Sequence, residues 1–367
     1  MIETFVNSLV FTYRGDSREI EDLTRKCKFM NIDGENKCLD HAERGLILKI
    51  VKCKNKGNGN RKIVITADPN KLVDDHQITT NIDIFDFYVT LDNLIRQIMP
   101  DLTISDFKLK RMDIVRDMYN IPENIGQEYI KIMRKISLKQ NFRLNIEPED
   151  LRCKERFSAI DDNGVEFLVY NKRKEAVEEN HSRETENAMR IELRCSKTLI
   201  RDLTKGHDLK ESIKLMLGSG EIILNNFYER VFKYGTDLCY ISSDWQKKLI
   251  NSKYNKSVCK KLLKITKDMG CDNSDLDRVL HDHYSDRSKD ERLNEFKEPG
   301  FSPIPIASDR ISFMPPLDIV LGFCDDYTYK ELAGIACYKK IKHSTDNDKE
   351  IFEYDPFKGQ PELLCLK

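Results

Sequence analysis

The chain has 367 residues, 40% of them hydrophobic and 34% charged, which predicts a true core beneath a heavily charged surface and enough length for two domains. Its 61 basic and 62 acidic residues leave a net charge of -1, which excludes a uniformly basic DNA-coating protein but not a local basic patch. The 11 cysteines show no CxxC spacing or Cys/His cluster, so reduced thiols are expected and a zinc site is not.

The first residues carry Glu3 and no basic start ahead of an apolar stretch, unlike a signal peptide. No apolar run approaches the ~20 residues of a membrane span. A cytoplasmic protein without a membrane partner is expected.

In chain order, "FVNSLVFTY" (5–13) predicts a strand. "HAERGLILKIVKC" (41–53) ends in alternation, "KNKGNGNRK" (54–62) forms a turn, and "IVITADPNKLV" (63–73) completes a hairpin. "IFDFYVTLDNLIRQIMP" (84–100) starts mixed and ends as an amphipathic helix closed by Pro100. "KLKRMDIVRDM" (108–118) reads as a strand and "NIGQEYIKIMRKISLKQ" (124–140) as a helix. "GVEFLVYNK" (164–172) and "AMRIELRCS" (188–196) read as strands, followed by helical pieces broken by Gly206. The pattern predicts an α+β fold, a largely antiparallel sheet with helices on one face. Past about residue 240 a smaller, mostly helical region is expected, with a Pro-containing tail. Residues 1–240 and 241–367 are therefore the two expected domains.

Alternation within the strands concentrates charge. In 108–118, Leu109, Arg111, Asp113, Val115 and Asp117 share one side, while Lys110, Met112, Ile114, Arg116 and Met118 share the other. In "MRIELRC", Arg190, Glu192 and Arg194 oppose an apolar face of Met189, Ile191, Leu193 and Cys195. In "VEFLVYNK", Glu166, Leu168 and Tyr170 share a face. Laid side by side, these strands gather carboxylates, arginines and a tyrosine. Hard oxygen donors suit Mg²⁺ or Mn²⁺, arginines grip phosphates, and a tyrosine can form a covalent phosphotyrosyl link. The plain alternative is the polar outer face of a half-buried antiparallel sheet.

Four segments in this order resemble rolling-circle replication initiators, notably the gene II type proteins of filamentous phages and related plasmid initiators. They are "KIVITADPNKLV", "LKRMDIVRDM", "FLVYNKRKEA" and "MRIELRCSKTLIRDL", within roughly residues 60–230. The resemblance implies an enzyme that nicks one strand at an origin by metal-assisted tyrosine attack, leaving a 5′-phosphotyrosyl intermediate and a 3′ end that primes synthesis. It implies Asp113 and Glu192 as metal ligands, with Asp117 a second choice. Arg111 and Arg190, with Arg194 beside them, would hold backbone phosphate. Lys172 would contact phosphate or neutralise the leaving oxygen. Some plasmid initiators carry their tyrosine beside the R-apolar-E strand, where this chain has Met189 and Ile191. Tyr170 is thus the first candidate nucleophile and Tyr228 the second. The pair in "HDH" (281–283) reads as surface, so a carboxylate-only site is required.

Residues 245–267 hold eight lysines and no acid, with Trp245 and Tyr254 interleaved. A helix here would turn Val258, Leu262 and Ile265 inward and Lys260, Lys261, Lys264 and Lys267 outward. With Lys247 and Lys248, these lysines can track a DNA backbone. The expected partner is origin DNA, single-stranded or supercoiled; host helicase, polymerase and a homodimer are further expectations. Two related readings are a nonenzymatic DNA-binding replication protein and a conjugative relaxase. A structural protein with plainly charged sheet faces is a third.

Overall fold

The computed structural model describes residues 2–15, 17–32, 35–38, 41–52, 61–73, 81–119, 121, 123–145, 156–171, 188–233, 235–271, 274–284, 286–307, 311 and 313–323. Ten strands form one antiparallel sheet. They are β1 (Ile2–Tyr13), β2 (Phe29–Ile32), β3 (Glu35–Cys38), β4 (Leu46–Lys52), β5 (Arg61–Ala67), β6 (Lys108–Tyr119), β7 (Phe142–Leu144), β8 (Arg156–Asp161), β9 (Glu166–Asn171) and β10 (Ala188–Cys195). Their spatial order is β2-β3-β4-β5-β1-β6-β10-β9-β8-β7. The expected hairpin is present, with β4 paired to β5 from Leu46↔Ala67 to Lys52↔Arg61. The long strands β1, β6 and β10 lie side by side near the middle.

Helices cover one face, as the sequence predicts. Leu9, Phe11, Met112, Ile114, Met118, Met189, Ile191 and Leu193 all point into a core below the sheet. Against it lie α1 (Ser17–Lys26), α2 (Pro69–Leu72), α3 (Asn81–Ile98), α4 (Glu123–Lys135), α5 (Lys197–Leu203), α6 (Leu209–Gly218) and α7 (Gly220–Val231). A Cβ on Gly220 would sit 3.6 Å from both Ile114 and Val6, so α7 packs closely on the central strands. The break between α5 and α6 does fall at Gly206, whose φ of +87° favours glycine.

Two β-bulges change which side chains share a face. Phe5 pairs with Val115 and Val6 with Ile114, but Ser8 pairs with Asp113, so Asn7 is an extra residue in β1. Val10 pairs with Arg111 and Phe11 with Leu109, so Lys110 is an extra residue in β6. A bulge reverses the alternation beyond it and re-aims nearby side chains. The strict alternation expected across 108–118 is corrected at this point. Leu109 turns into the core with Phe11, instead of sharing the side of Arg111 and Asp113.

After residue 240 the described residues are mostly helical, with α8 (Ser243–Lys253), α9 (Lys256–Met269), α10 (Leu276–His283), α11 (Asp286–Lys297) and α12 (Leu317–Val320). The core continues into it without a break. β11 (Tyr240–Ile241) pairs with β12 (Phe313–Met314). Arg116, on the core side of β6, is 1% exposed. Its guanidinium donates to Thr4 Oγ1 at 2.8 Å, Asn225 Oδ1 at 2.7 Å and the Gly322 carbonyl at 2.9 Å. It also lies 4.5 Å from the centre of the Phe323 ring. A charge among core methyls is tolerable only with such a set of acceptors, and here it ties the 317–323 segment to the sheet.

Candidate active site

The register of β6, β10 and β9 brings the charged residues together on the face away from the helices. Asp113 stands opposite Arg194, and Asp117 opposite Arg190. Arg190 in turn stands opposite Tyr170, and Arg194 opposite Glu166. Asp113 and Glu192 are diagonal neighbours on adjacent strands, a relation that puts Cα atoms about 7–8 Å apart.

Three ion-pair groups occupy this face. Asp113 is 3% exposed and is gripped by Arg111, Nε to Oδ1 at 2.6 Å and Nη2 to Oδ2 at 2.7 Å. Ser8 donates to the same Oδ2 at 2.6 Å, a contact available only because the bulge at Asn7 turns Ser8 to this side. The bonds that Arg111 donates to Asp113 raise its pKa, against the effect of burial. In the second group, Glu192, 6% exposed, accepts from Arg194 Nε on Oε1 at 2.6 Å and from the Tyr170 hydroxyl on Oε2 at 2.9 Å. Arg194 also donates to Glu166 at 3.1 Å. Burial alone would raise the Glu166 pKa, but bonds from Ser158, Asn145 and Arg194 hold it below the ordinary value.

The third group is internal. Expected as a phosphate holder and a second-choice metal ligand, Arg190 and Asp117 are partners of one another, Nε to Oδ1 at 2.6 Å and Nη2 to Oδ2 at 2.8 Å. The Asp117 side chain is fully buried and that of Arg190 is 10% exposed. Lys172 lies outside the described residues.

Tyr228 is on the other side of the sheet. It is 4% exposed on α7, stacks on Phe323 at 3.7 Å and donates to Asp318 Oδ1 at 2.7 Å. Burial and the Asp318 charge push its pKa well above the ordinary value. Neither access nor acidity equips it as a nucleophile. His281 is exposed, as expected for "HDH".

Asp113 and Glu192 offer hard oxygen donors of the kind a divalent ion takes. Among the described residues no three or more His, Cys, Asp or Glu side chains come together as a metal cluster. Asp113 and Glu192 nevertheless retain lone pairs beyond those the arginines use. Mg²⁺ is commonly held by one or two carboxylates plus substrate phosphates, not by an all-protein cage. The pair fits that mode.

The lysine-rich segment forms two helices. On α9, Leu262 and Ile265 are buried while Lys256, Lys260, Lys261, Lys264 and Lys267 are exposed. On α8, Lys247 and Lys248 are exposed, Lys247 reaching Asp244 at 3.4 Å and Lys248 lying over the Trp245 ring at 4.6 Å. No described helix is long and apolar enough to cross a membrane.

Sequence reasoning missed Ser8, Ser158 and Asn145 as partners of the charged face. Ser8 was hidden by the bulge. Ser158 lies on β8, a strand whose hairpin with β9 was signalled by "DDNG", with Gly164 at φ +75°.

No family model matches the sequence, and no curated protein matches it. Among solved structures, the chain is similar to a rolling-circle replication initiator protein from Geobacillus stearothermophilus. The TM-score is 0.33 and the identity 10%, over 64% of this chain and 87% of that one.

Proposed function

We propose that this chain is a rolling-circle replication initiator that nicks one DNA strand at an origin through Tyr170. The observation that carries the reading is the hydrogen bond from the Tyr170 hydroxyl to Glu192, itself held by Arg194. A nucleophile, a base within hydrogen-bond reach and a group that orients the base are the parts of nucleophilic catalysis. Glu192 Oε2 takes the phenolic proton as the tyrosine oxygen attacks phosphorus. The bond from phosphorus to the 3′ oxygen breaks, leaving a 5′-phosphotyrosyl link and a free 3′ end. Lys172, beside Asn171 in sequence, neutralises the leaving oxygen. Arg111 and Arg194, exposed and half-buried, exchange part of their carboxylate bonding for phosphate oxygens. Asp113 and Glu192 would hold Mg²⁺ or Mn²⁺, which would supply charge stabilisation to a phosphate bound at this face.

The test is incubation with supercoiled plasmid bearing the chain's own replicon origin, with Mg²⁺ or Mn²⁺. Nicked circles and a covalent protein–DNA adduct mapped to Tyr170 are expected. Binding without nicking or adduct would favour a second reading, a nonenzymatic DNA-binding protein, which the pairing of each carboxylate with an arginine also suits.

The lysine helices supply nonspecific affinity. Changing Lys247, Lys248, Lys260, Lys261 and Lys264 to Gln is expected to flatten the dependence of log K on log salt. The reduction is about 0.7–0.9 for each lysine that meets a phosphate. An unchanged slope in a salt titration would make these helices ordinary solvated surface.

A further inference from the structure

Four cations meet at one end of the central strands, outside the groups described above. Arg14 follows β1, Lys108 and Lys110 begin β6, and Lys197 opens α5 just past β10. Lys108 pairs with Thr12 near the end of β1, and Cys195 with Met112, so all three strands deliver these residues to the same rim. Lys110 is the bulged residue of β6. Lys197, Lys108 and Arg14 all lie close enough to Lys110 for their positive charges to act on its ammonium group.

None of the four has a carboxylate partner among the described residues. Elsewhere on these strands the arginines are matched one by one to acids. Two ammonium groups that both donate and cannot accept repel each other. A bulge that holds Lys110 among these charges maintains an unfavourable arrangement, which a bound anion would turn into a favourable one. A phosphate oxygen can accept from both lysines at once.

We propose that Lys110 and Lys197, with Lys108 and Arg14, form a phosphate-binding notch for the backbone of a nucleic-acid strand that leaves the candidate site over this rim. The choice of nucleic acid rests on the function proposed above; the anion chemistry does not. Lys110 and Lys108 lie three and five residues from Asp113 on the same strand, about 10–17 Å at about 3.3 Å per residue. A strand engaged at Asp113 would bring phosphates beyond the nick within range of the notch. Burial and the neighbouring Lys197, Lys108 and Arg14 charges lower the Lys110 pKa to about 8. Lys110 is therefore mostly charged at pH 7 and mostly neutral at pH 9. A phosphate bound there would favour the charged form and draw in a proton.

The experiment is fluorescence anisotropy of a labelled single-stranded oligonucleotide in EDTA, so that no chemistry is required. Wild-type affinity is expected to fall several-fold between pH 7 and pH 9. Lys110→Arg, always charged, should bind with little change over that range. Lys110→Gln should bind about 5–10-fold more weakly at pH 7, with a salt slope shallower by about 0.7. Because Lys110→Gln removes a repulsion, its unfolding temperature should equal or exceed that of wild type. Inorganic pyrophosphate should compete in wild type and compete less well in Lys110→Gln. Wild-type affinity and slope in Lys110→Gln, or an unchanged pH profile in Lys110→Arg, would overturn the notch. A chain that binds through Lys110 but never nicks would keep the notch and lose the nuclease. A chain that nicks while Lys110→Gln binds normally would do the reverse.

Discussion

Tyr170→Phe should abolish the covalent adduct and reduce nicking by at least about 10³-fold, the scale on which removing an enzyme's nucleophile acts. The substitution deletes one oxygen and keeps the ring in its half-buried place on β9. The lost hydrogen bond to Glu192 is worth about 1–3 kcal/mol, since its acceptor is charged. That is a minor part of the roughly 5–15 kcal/mol by which folded proteins exceed their unfolded chains. Folding and DNA affinity should therefore survive, as read by thermal unfolding and by filter binding at fixed salt. Tyr228→Phe is the control. Its hydroxyl bonds Asp318 in the core, so the variant should lose stability and keep nicking. Normal nicking by Tyr170→Phe would remove Tyr170 from the chemistry and leave it an ordinary sheet aromatic.

The sheet and its helix-covered face were legible because the strong strands alternate cleanly. Met189, Ile191, Leu193 and Cys195 are core, and Arg190, Glu192 and Arg194 are not core-facing, as the period of two requires. Lysines and apolar residues on α9 sort as the helical period predicts. The short strands β2, β3 and β7 were not legible, being three or four residues of mixed polarity whose pairing is decided by neighbours. Nor were the bulges, since an extra residue leaves no mark in composition and yet decides that Ser8 meets Asp113 and that Leu109 turns inward. Arg116 shows the limit from the other side. Its position in the alternation was right, but its acceptors come from Thr4, α7 and residues 321–322, more than a hundred residues away in either direction.

The fate of individual charges was likewise beyond alternation, and Arg190 and Asp117 give the sharpest test of it. Arg190→Met should destabilise the protein by about 3–5 kcal/mol, because it strands a fully buried carboxylate that has lost its bidentate partner. Removing the other charge as well, in Arg190→Met with Asp117→Leu, should recover most of that loss. A buried pair exchanged for apolar residues of similar volume is often neutral or stabilising, and the Phe5 ring beside Arg190 offers an apolar neighbour. The interaction energy from this double-mutant cycle, measured by urea denaturation, should exceed 2 kcal/mol. DNA affinity separates the two roles open to Arg190. As an internal strut, it can be replaced in the double variant with stability and oligonucleotide binding both restored. As a phosphate holder, it would leave a refolded double variant that still binds weakly, with a salt slope reduced by about 0.7. The restored outcome is expected, because a guanidinium held bidentate by a buried carboxylate, its side chain only 10% exposed, presents little of itself to a phosphate at the surface.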